Sequence, residues 1–551
     1  MAPDLILTNG VVYTVDASRS RHEAVAVSDG RIVAVGTAAE VGELAGPRTR
    51  VVDLGGRLLL PGFIDAHMHA SSATQDLFEV SLSDCTSAQE CVAAVARFAT
   101  AHPELAFIRG FGWSDSYMPR LGPAAADLDA VVPDRPVILH DDSYHSAWLN
   151  SAGLLLACCD SLTPQPDNGV IERLEDGSPS GTLREGPAYA ADEAFPTYAV
   201  DQTCEGIRHF MGAVAGPNGL TTVQDAALNP GRDTALEAYE LLQAANELTT
   251  RFCLSIWLRE DRPLDEQIAA AVTERARHAG PLVSAAWVKL FPDGVIEGRT
   301  GYLKEPYADQ PGYCGEPLWS HEGMAAASVA AARAGFRLHY HAIGDAATAM
   351  SLDAIAAARA ACGGAVERPL ITHIQVLDLA DLPRFRELGV IAVPQPYWFL
   401  KEELYHARQV PCLGQERADR EYPMRSFWEH GVVAAAASDY PVPPPPDPLV
   451  AMQRGVLRRD PADAAEPPLW PEEAVTVEQM IESFTVNGAF AMGIEDEVGS
   501  IEVGKIADLV VLSRDILTIP AEEFTSAAVE LTVFGGRAVY AAGPFAGLAG
   551  D

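Results

Sequence analysis

Short alternations of apolar and polar positions open the chain: Val11-Val12-Tyr13-Thr14-Val15, then Ala24-Val25-Ala26-Val27, a turn at Ser28-Asp29-Gly30, and Ile32-Val33-Ala34-Val35. Runs of this length, bounded by turn residues, predict the strands of a small β unit. The other end repeats the style with Asp508-Leu509-Val510-Val511-Leu512, Leu531-Thr532-Val533-Phe534, Gly535-Gly536 and Ala538-Val539-Tyr540. Neither end holds enough strands for an independent domain, so the pattern predicts that the two ends pair into one composite sheet.

Between the ends the period changes. Helical patterns over 322–334, 346–361, 378–388 and 424–430 alternate with apolar runs over 336–341, 369–373, 390–393 and 432–439. Further apolar runs lie at 285–291, 250–258, 220–225 and 58–65, each ending near a polar or charged residue. That makes eight strands, the number that closes a (β/α)8 TIM-like barrel, so the fold class is α/β. The stretch 75–200 is too long for one strand-to-helix connection and holds Trp113, Trp148 and many Pro and Gly. It reads as an insertion or lid over the barrel mouth. The expected domains are therefore 1–57 with 495–551 as the β unit and 58–494 as the barrel.

Composition narrows the partners. A net charge of −37 over 551 residues disfavours nucleic acid and anionic membrane surfaces, and no basic patch offsets it. No stretch approaches the roughly 18 apolar residues of a membrane span, and no basic-then-apolar leader begins the chain. Nine cysteines at irregular spacing, including adjacent Cys158 and Cys159, form neither a disulfide framework nor a CxxC pattern. A cytoplasmic protein acting on small molecules is the expectation.

The candidate chemistry lies at strand ends. In Pro61-Gly62-Phe63-Ile64-Asp65-Ala66-His67-Met68-His69 two imidazoles stand two residues apart, so strand geometry points both to one face, where they could bind a metal. Two exposed loop histidines are the alternative. His341 and His373 end two later strands, and the C-terminal ends of barrel strands converge on one site. His339, beside His341, is a competing candidate. Asp439 ends the eighth strand and faces the same mouth as a candidate general base; an N-cap ahead of the proline-rich 441–446 is its other reading.

Lys289, one of only four lysines, sits inside Ala286-Trp287-Val288-Lys289-Leu290-Phe291. Desolvation there leaves a neutral amine that can take up carbon dioxide to give an anionic carbamate ligand. A buried lysine paired with Asp293 is the alternative.

Taken in order, Leu54-Gly55-Gly56 leading into the HxH strand, Leu220-Thr221-Thr222-Val223-Gln224-Asp225-Ala226, Val288-Lys289-Leu290-Phe291 with Asp293-Gly294, His341-Ala342-Ile343-Gly344-Asp345, Thr372-His373, Ser438-Asp439 and the segment 499–509 form a pattern. Over nearly its whole length the chain resembles the amidohydrolase superfamily, and within it the branch of the N-substituted formamide deformylases. The resemblance implies a metal shell of His67, His69, Lys289, His341, His373 and Asp439. It implies one or two divalent ions, zinc ahead of manganese or iron, with Lys289 N6-carboxylated in a two-metal centre. It further implies a small β-sandwich built from both chain ends, a homodimer, and a pocket lined by His145, Trp113 and Glu185. Pro292 before Asp293 and Tyr440 after Asp439 depart from the branch pattern. The implied reaction is hydrolysis of an amide-type C–N bond, with a single-metal deaminase of the same fold or a catalytically silent ligand-binding relative as the alternatives.

Overall fold

The computed structural model describes residues 2–166, 168–364, 366–442, 445–463 and 465–549. Pro443 and Pro444 of the proline-rich segment fall outside them.

Seven strands form one parallel sheet in strict sequence order: β1 (Phe63–Met68), β2 (Leu220–Leu228), β3 (Arg251–Trp257), β4 (Val283–Leu290), β5 (Arg337–Ala342), β6 (Leu370–His373) and β7 (Ile391–Val393). Helices follow them, among others Ala235–Ala244 after β2, Leu264–Arg277 after β3, His321–Arg333 after β4 and Asp345–Ala361 after β5. Helices cover one face and the barrel interior the other, so the strands read as near-continuous buried runs rather than as alternations. The interior nevertheless carries a polar chain across β2 to β5. Gln224 donates to Ser255 (3.0 Å), Ser255 Oγ meets His339 Nδ1 (3.1 Å), and His339 Nε2 lies 3.4 Å from Lys289 Nζ. Polar groups at such a position mark a site rather than a packing core.

The expected eighth strand is not a regular strand. Residues 432–439 run between the two barrel edges and bond to both. Ala392 N donates to Val433 O (3.0 Å) and Ala435 N to Ala392 O (2.9 Å) on the β7 side. On the β1 side Ala66 N donates to Ala436 O (3.2 Å) and Asp439 N to His67 O (2.9 Å). Two donors are diverted: Ala436 N goes to Ser483 O (3.0 Å) and Ser438 N to Asp65 Oδ1 (3.1 Å). The ladder is therefore broken into single bridges, yet the barrel is nearly closed.

The run 58–65 is likewise two strands. Leu58–Pro61 belongs to a different sheet, and Gly62 is the handover: its N–H bonds Asp508 O (2.8 Å), while Phe63 N bonds Gly219 O (2.9 Å). A Cβ on Gly62 would lie 2.4 Å from Thr221 Oγ1, so only glycine lets β1 approach β2 there. The chain ends meet on Leu58–Pro61, which pairs antiparallel with Leu509–Leu512 and parallel with Val11–Tyr13. A four-stranded sheet of Leu5–Thr8, Ala24–Ser28, Arg31–Gly36 and Arg50–Asp53 packs on it through Leu7, Val25, Leu59, Leu509 and Val533. The strands at Leu5–Thr8 and Arg50–Asp53 are additions to the pattern expected from sequence.

The long connection between β1 and β2 contains a mixed six-stranded sheet, in the order Gly169–Arg173, Pro179–Glu185, Ser146–Leu149, Val137–Asp141, Ile108–Trp113, Val80–Ser81. It has apolar cores of its own, one holding both Trp113 and Trp148. The hairpin between Val137–Asp141 and Ser146–Leu149 reaches the barrel mouth. Among the described residues no helix is long and apolar enough to cross a membrane.

Candidate metal centre

At the C-terminal mouth of the barrel, donor atoms of His67, His373 and Asp439 all lie within 4.8 Å of one another. His67 is an inward residue of β1, His373 ends β6, and Asp439 ends the closing segment. His67 Nε2 is 3.0 Å and His69 Nε2 3.5 Å from Asp439 Oδ1, and His373 Nδ1 is 3.9 Å from Oδ2. His341 packs its ring on His373 with centroids 4.4 Å apart. His339, one layer deeper, packs edge-on against His67 at 4.8 Å. It is the partner of Lys289 and Ser255 and is fully buried, whereas His341 lines the cleft. His373 and Asp439 have φ of 74° and 62°, a left-handed backbone that costs a non-glycine residue ~1–2 kcal/mol. The fold holds both in place against that cost.

The hydrogen bonds define which ring nitrogens are free. A carbonyl can only accept, so His69 Nδ1 donates to Ala226 O (3.1 Å), His341 Nε2 to Gly294 O (3.1 Å) and His373 Nδ1 to Gln395 Oε1 (3.1 Å). In His341 and His373 this leaves the other nitrogen with its lone pair, the arrangement that fixes metal-binding imidazoles. Burial holds His67, His339 and His341 well below the usual imidazole range and His373 at about 3, so all are neutral donors. Burial alone would raise the Asp439 carboxyl, but His373 and then His67 and His69 outweigh it and keep the group ionised. Asp439 Oδ1 and His67 Nδ1 are buried without a hydrogen-bond partner. Neutral imidazoles around an anionic, unsatisfied oxygen are a donor set that fits a divalent cation.

Lys289 stands deeper in the barrel, outside that group of three. Its amine is fully buried, 5.0 Å from the Phe291 ring centroid, and burial pulls it down to about 7 against the opposing pull of Asp439. The alternative pairing with Asp293 is not what the structure holds. That carboxylate accepts from Tyr302 N (2.9 Å), Ile343 N (3.1 Å) and Gly344 N (2.8 Å), tying the β4 and β5 loops together. Asp345 opens the helix after its N-cap Gly344, and its Oδ1 accepts from Lys304 N (2.8 Å).

A cleft of about 300 Å³ opens over the centre, lined by Asp439, His341, His373 and His145 on the inner side. His145 comes from the insertion hairpin. Its Nδ1 faces Glu185 Oε2 (2.8 Å) and the Tyr189 hydroxyl (3.1 Å), and its ring lies 5.1 Å from that of His341. Burial would lower its pKa, but Glu185 raises it to about 9, so the ring is cationic at neutral pH. Two residues expected to line the pocket do not. Glu185 is 1% exposed behind His145, with Oε1 accepting from Thr300 (2.6 Å). Trp113 is fully buried in the insertion core, donating through Nε1 to Leu139 O (2.9 Å), and only its backbone oxygen, which accepts from Asp142 N (2.8 Å), serves the cleft.

Several residues of the site gave no sequence signal. Asp65 joins β1 to the closing segment by accepting from His67 N and Ser438 N, both at 3.1 Å. Gln395 orients His373. Asp142, Glu297, Tyr397, Trp398 and Tyr422 line the outer cleft from loops and short helices that have no periodicity to read.

The sequence profile of the Amidohydrolase family matches residues 50–540. An N-substituted formamide deformylase from Arthrobacter pascens is 31% identical, with 93% of this chain and 94% of the relative covered. The protein LONG AFTER FAR-RED 3 of Arabidopsis thaliana is 30% identical over 98% of this chain and 91% of its own length. An uncharacterized metal-dependent hydrolase from Pyrococcus horikoshii superposes with a TM-score of 0.73 at 23% identity, over 94% of this chain and 99% of its own, which shows the shared fold. The chain therefore belongs to the amidohydrolase family, and is a hydrolytic enzyme acting on C–N bonds.

Proposed function

We propose that the chain hydrolyses an amide-type C–N bond of a small molecule, of the kind found in N-substituted formamides. The observation that carries this is the ionised, under-bonded Asp439 among neutral imidazoles at the floor of a cleft sized for a small ligand. The 31% identity to a formamide deformylase agrees with it. His67, His69, His341, His373 and Asp439 would hold one or two divalent ions, zinc first among them. Lys289 would join as a carbamate, its neutral amine forming an N–C bond to carbon dioxide and releasing a proton. A divalent ion bound there supplies a Lewis acid and a water acidified to near neutrality.

The protein's own groups then divide the proton work. Asp439 takes the proton of the attacking water and passes it to the departing nitrogen, acting as base and then as acid from one position. The His145 imidazolium, held by Glu185 and Tyr189 on the cleft wall, offers charge to the oxygen that becomes negative. Asp65 and Gln395 keep His67 and His373 in register. The two end sheets are read as a companion β-sandwich and the 75–200 insertion as the lid that brings His145 to the mouth.

Asp439→Asn tests the assignment. The variant should keep at least part of its metal and lose turnover of N-substituted formamides by ~10³-fold or more. A D439N enzyme with wild-type turnover removes the proposed base.

A further inference from the structure

Away from the metal centre the cleft changes character. Its outer wall carries Asp142, Glu297 and Glu402, together with the aromatic side chains of Tyr397, Trp398 and Tyr422. Among the described residues no lysine, arginine or histidine makes an ion pair with any of these three carboxylates. Two of the positive groups nearby are already engaged. Arg184 is paired with Asp115 Oδ2 (2.9 Å) and Glu172 (3.0 Å), and His145 with Glu185. Arg454, itself on the cleft wall, donates to Tyr397 O and reaches Asp460 at 4.0 Å, and its charge is felt at Glu402. Glu297 is central: it accepts one bond from Gln409 (3.0 Å), and its charge is felt at Asp142, Glu402 and Tyr422. Burial first, and then neighbouring negative charge, raises Asp142 well above the usual carboxylate range and raises Glu297 as well.

A further polar atom on the same wall lacks a partner while more than nine-tenths buried. Asp115 Oδ1 (6% exposed) is unbonded, and the charge of its carboxylate is felt at Asp142 and at Glu297. A carboxylate oxygen left without a partner beside unpaired carboxylates and ring faces is matched by one ligand chemistry: an N–H-rich cation.

Resting on the proposed hydrolysis of an amide-type bond, we infer that the substrate bears a cationic group, an amine or guanidine, at the end remote from the scissile bond. That group sits between Glu297, Asp142 and Asp115 Oδ1, against the aromatic wall, while the acyl carbon lies at Asp439.

The test uses binding so that it does not depend on turnover. The probes are N-(ω-aminoalkyl)formamides with two to six methylenes, each with a shape-matched neutral analogue in which methyl replaces the ammonium. Both sets are titrated calorimetrically onto metal-loaded Asp439→Asn protein, alone and combined with Glu297→Gln or with Asp142→Asn. The expected result is at least about tenfold tighter binding of one or more amine-bearing probes than of their analogues, and collapse of that ratio in both combined variants. Comparable circular dichroism and metal content guard against misfolding of either one. Equal or tighter binding of the neutral analogue at every length overturns the inference, even where wild type hydrolyses formamides. Conversely, a cation preference without wild-type turnover of any formamide upholds the cation site and counts against the proposed reaction.

Discussion

His145 shows how one residue's environment determines its chemistry. A buried imidazole without a partner would be neutral, yet the Glu185 carboxylate 2.8 Å away keeps it charged up to about pH 9. Its folded pKa is raised, so the cationic form and the stability it brings are present at neutral pH and lost as pH rises through about 9. Glu185→Gln should therefore move the alkaline limb of the kcat/KM profile down by about one unit or more and lower its plateau ~10-fold. A limb that stays in place shows that His145 is not the group titrating there. Much of the candidate site was legible residue by residue, because histidines and a carboxylate at strand ends can be read from period and position. Lys289 stood out because lysine is so rare in this chain. Trp113 misled because an aromatic residue in an insertion has no periodicity to separate core from pocket. Asp142 and Glu297 were invisible because a loop carboxylate acquires meaning only from what it faces.

At the scale of elements, the sequence period located most barrel strands and helices to within a few residues but not the details of closure. A run such as 432–439 looks like a strand in apolarity. What breaks its ladder is the use of Ala436 N by Ser483 and of Ser438 N by Asp65, contacts with distant segments. The split at Gly62 has the same origin, since the handover depends on Thr221 and Asp508. In the insertion, short strands interrupted by Pro and Gly hid a six-stranded sheet. One cluster fastens that sheet to the helix Gly186–Ala194: Asp192 accepts from Arg109, from Arg232 (2.6 Å) and from His140 (3.2 Å). Burial opposes ionisation of Asp192, but Arg109, His140 and Arg232 outweigh it and hold the group well below the usual carboxylate range. A depressed carboxylate contributes stability above its unfolded pKa and loses it as pH falls toward the folded one. Asp192→Asn should cost ~3 kcal/mol in chemical denaturation at neutral pH, with the difference from wild type shrinking as the medium is acidified. An equal difference at pH 7 and in acid would show that packing, not charge, holds the cluster.

Across the whole molecule, the two chain ends, the barrel and the insertion converge on one function. The ends join on Leu58–Pro61, immediately before β1, and so anchor the strand that carries His67. The barrel gathers histidines from residues 67 to 373 and an aspartate at 439 into one cluster, and the insertion adds a cation above them. A net charge of −37 over the whole chain accords with the unpaired carboxylates of the outer cleft and with a cationic ligand. The central claim, that His67, His373 and Asp439 form a metal centre, is tested most directly by elemental analysis. Protein purified without chelator would be compared as wild type and as the His67→Ala/His373→Ala double variant. The account predicts about one or two divalent ions per folded wild-type chain and none in the double variant. A metal-free wild type after loading with zinc, manganese or iron, or a double variant that keeps its full complement, would contradict it.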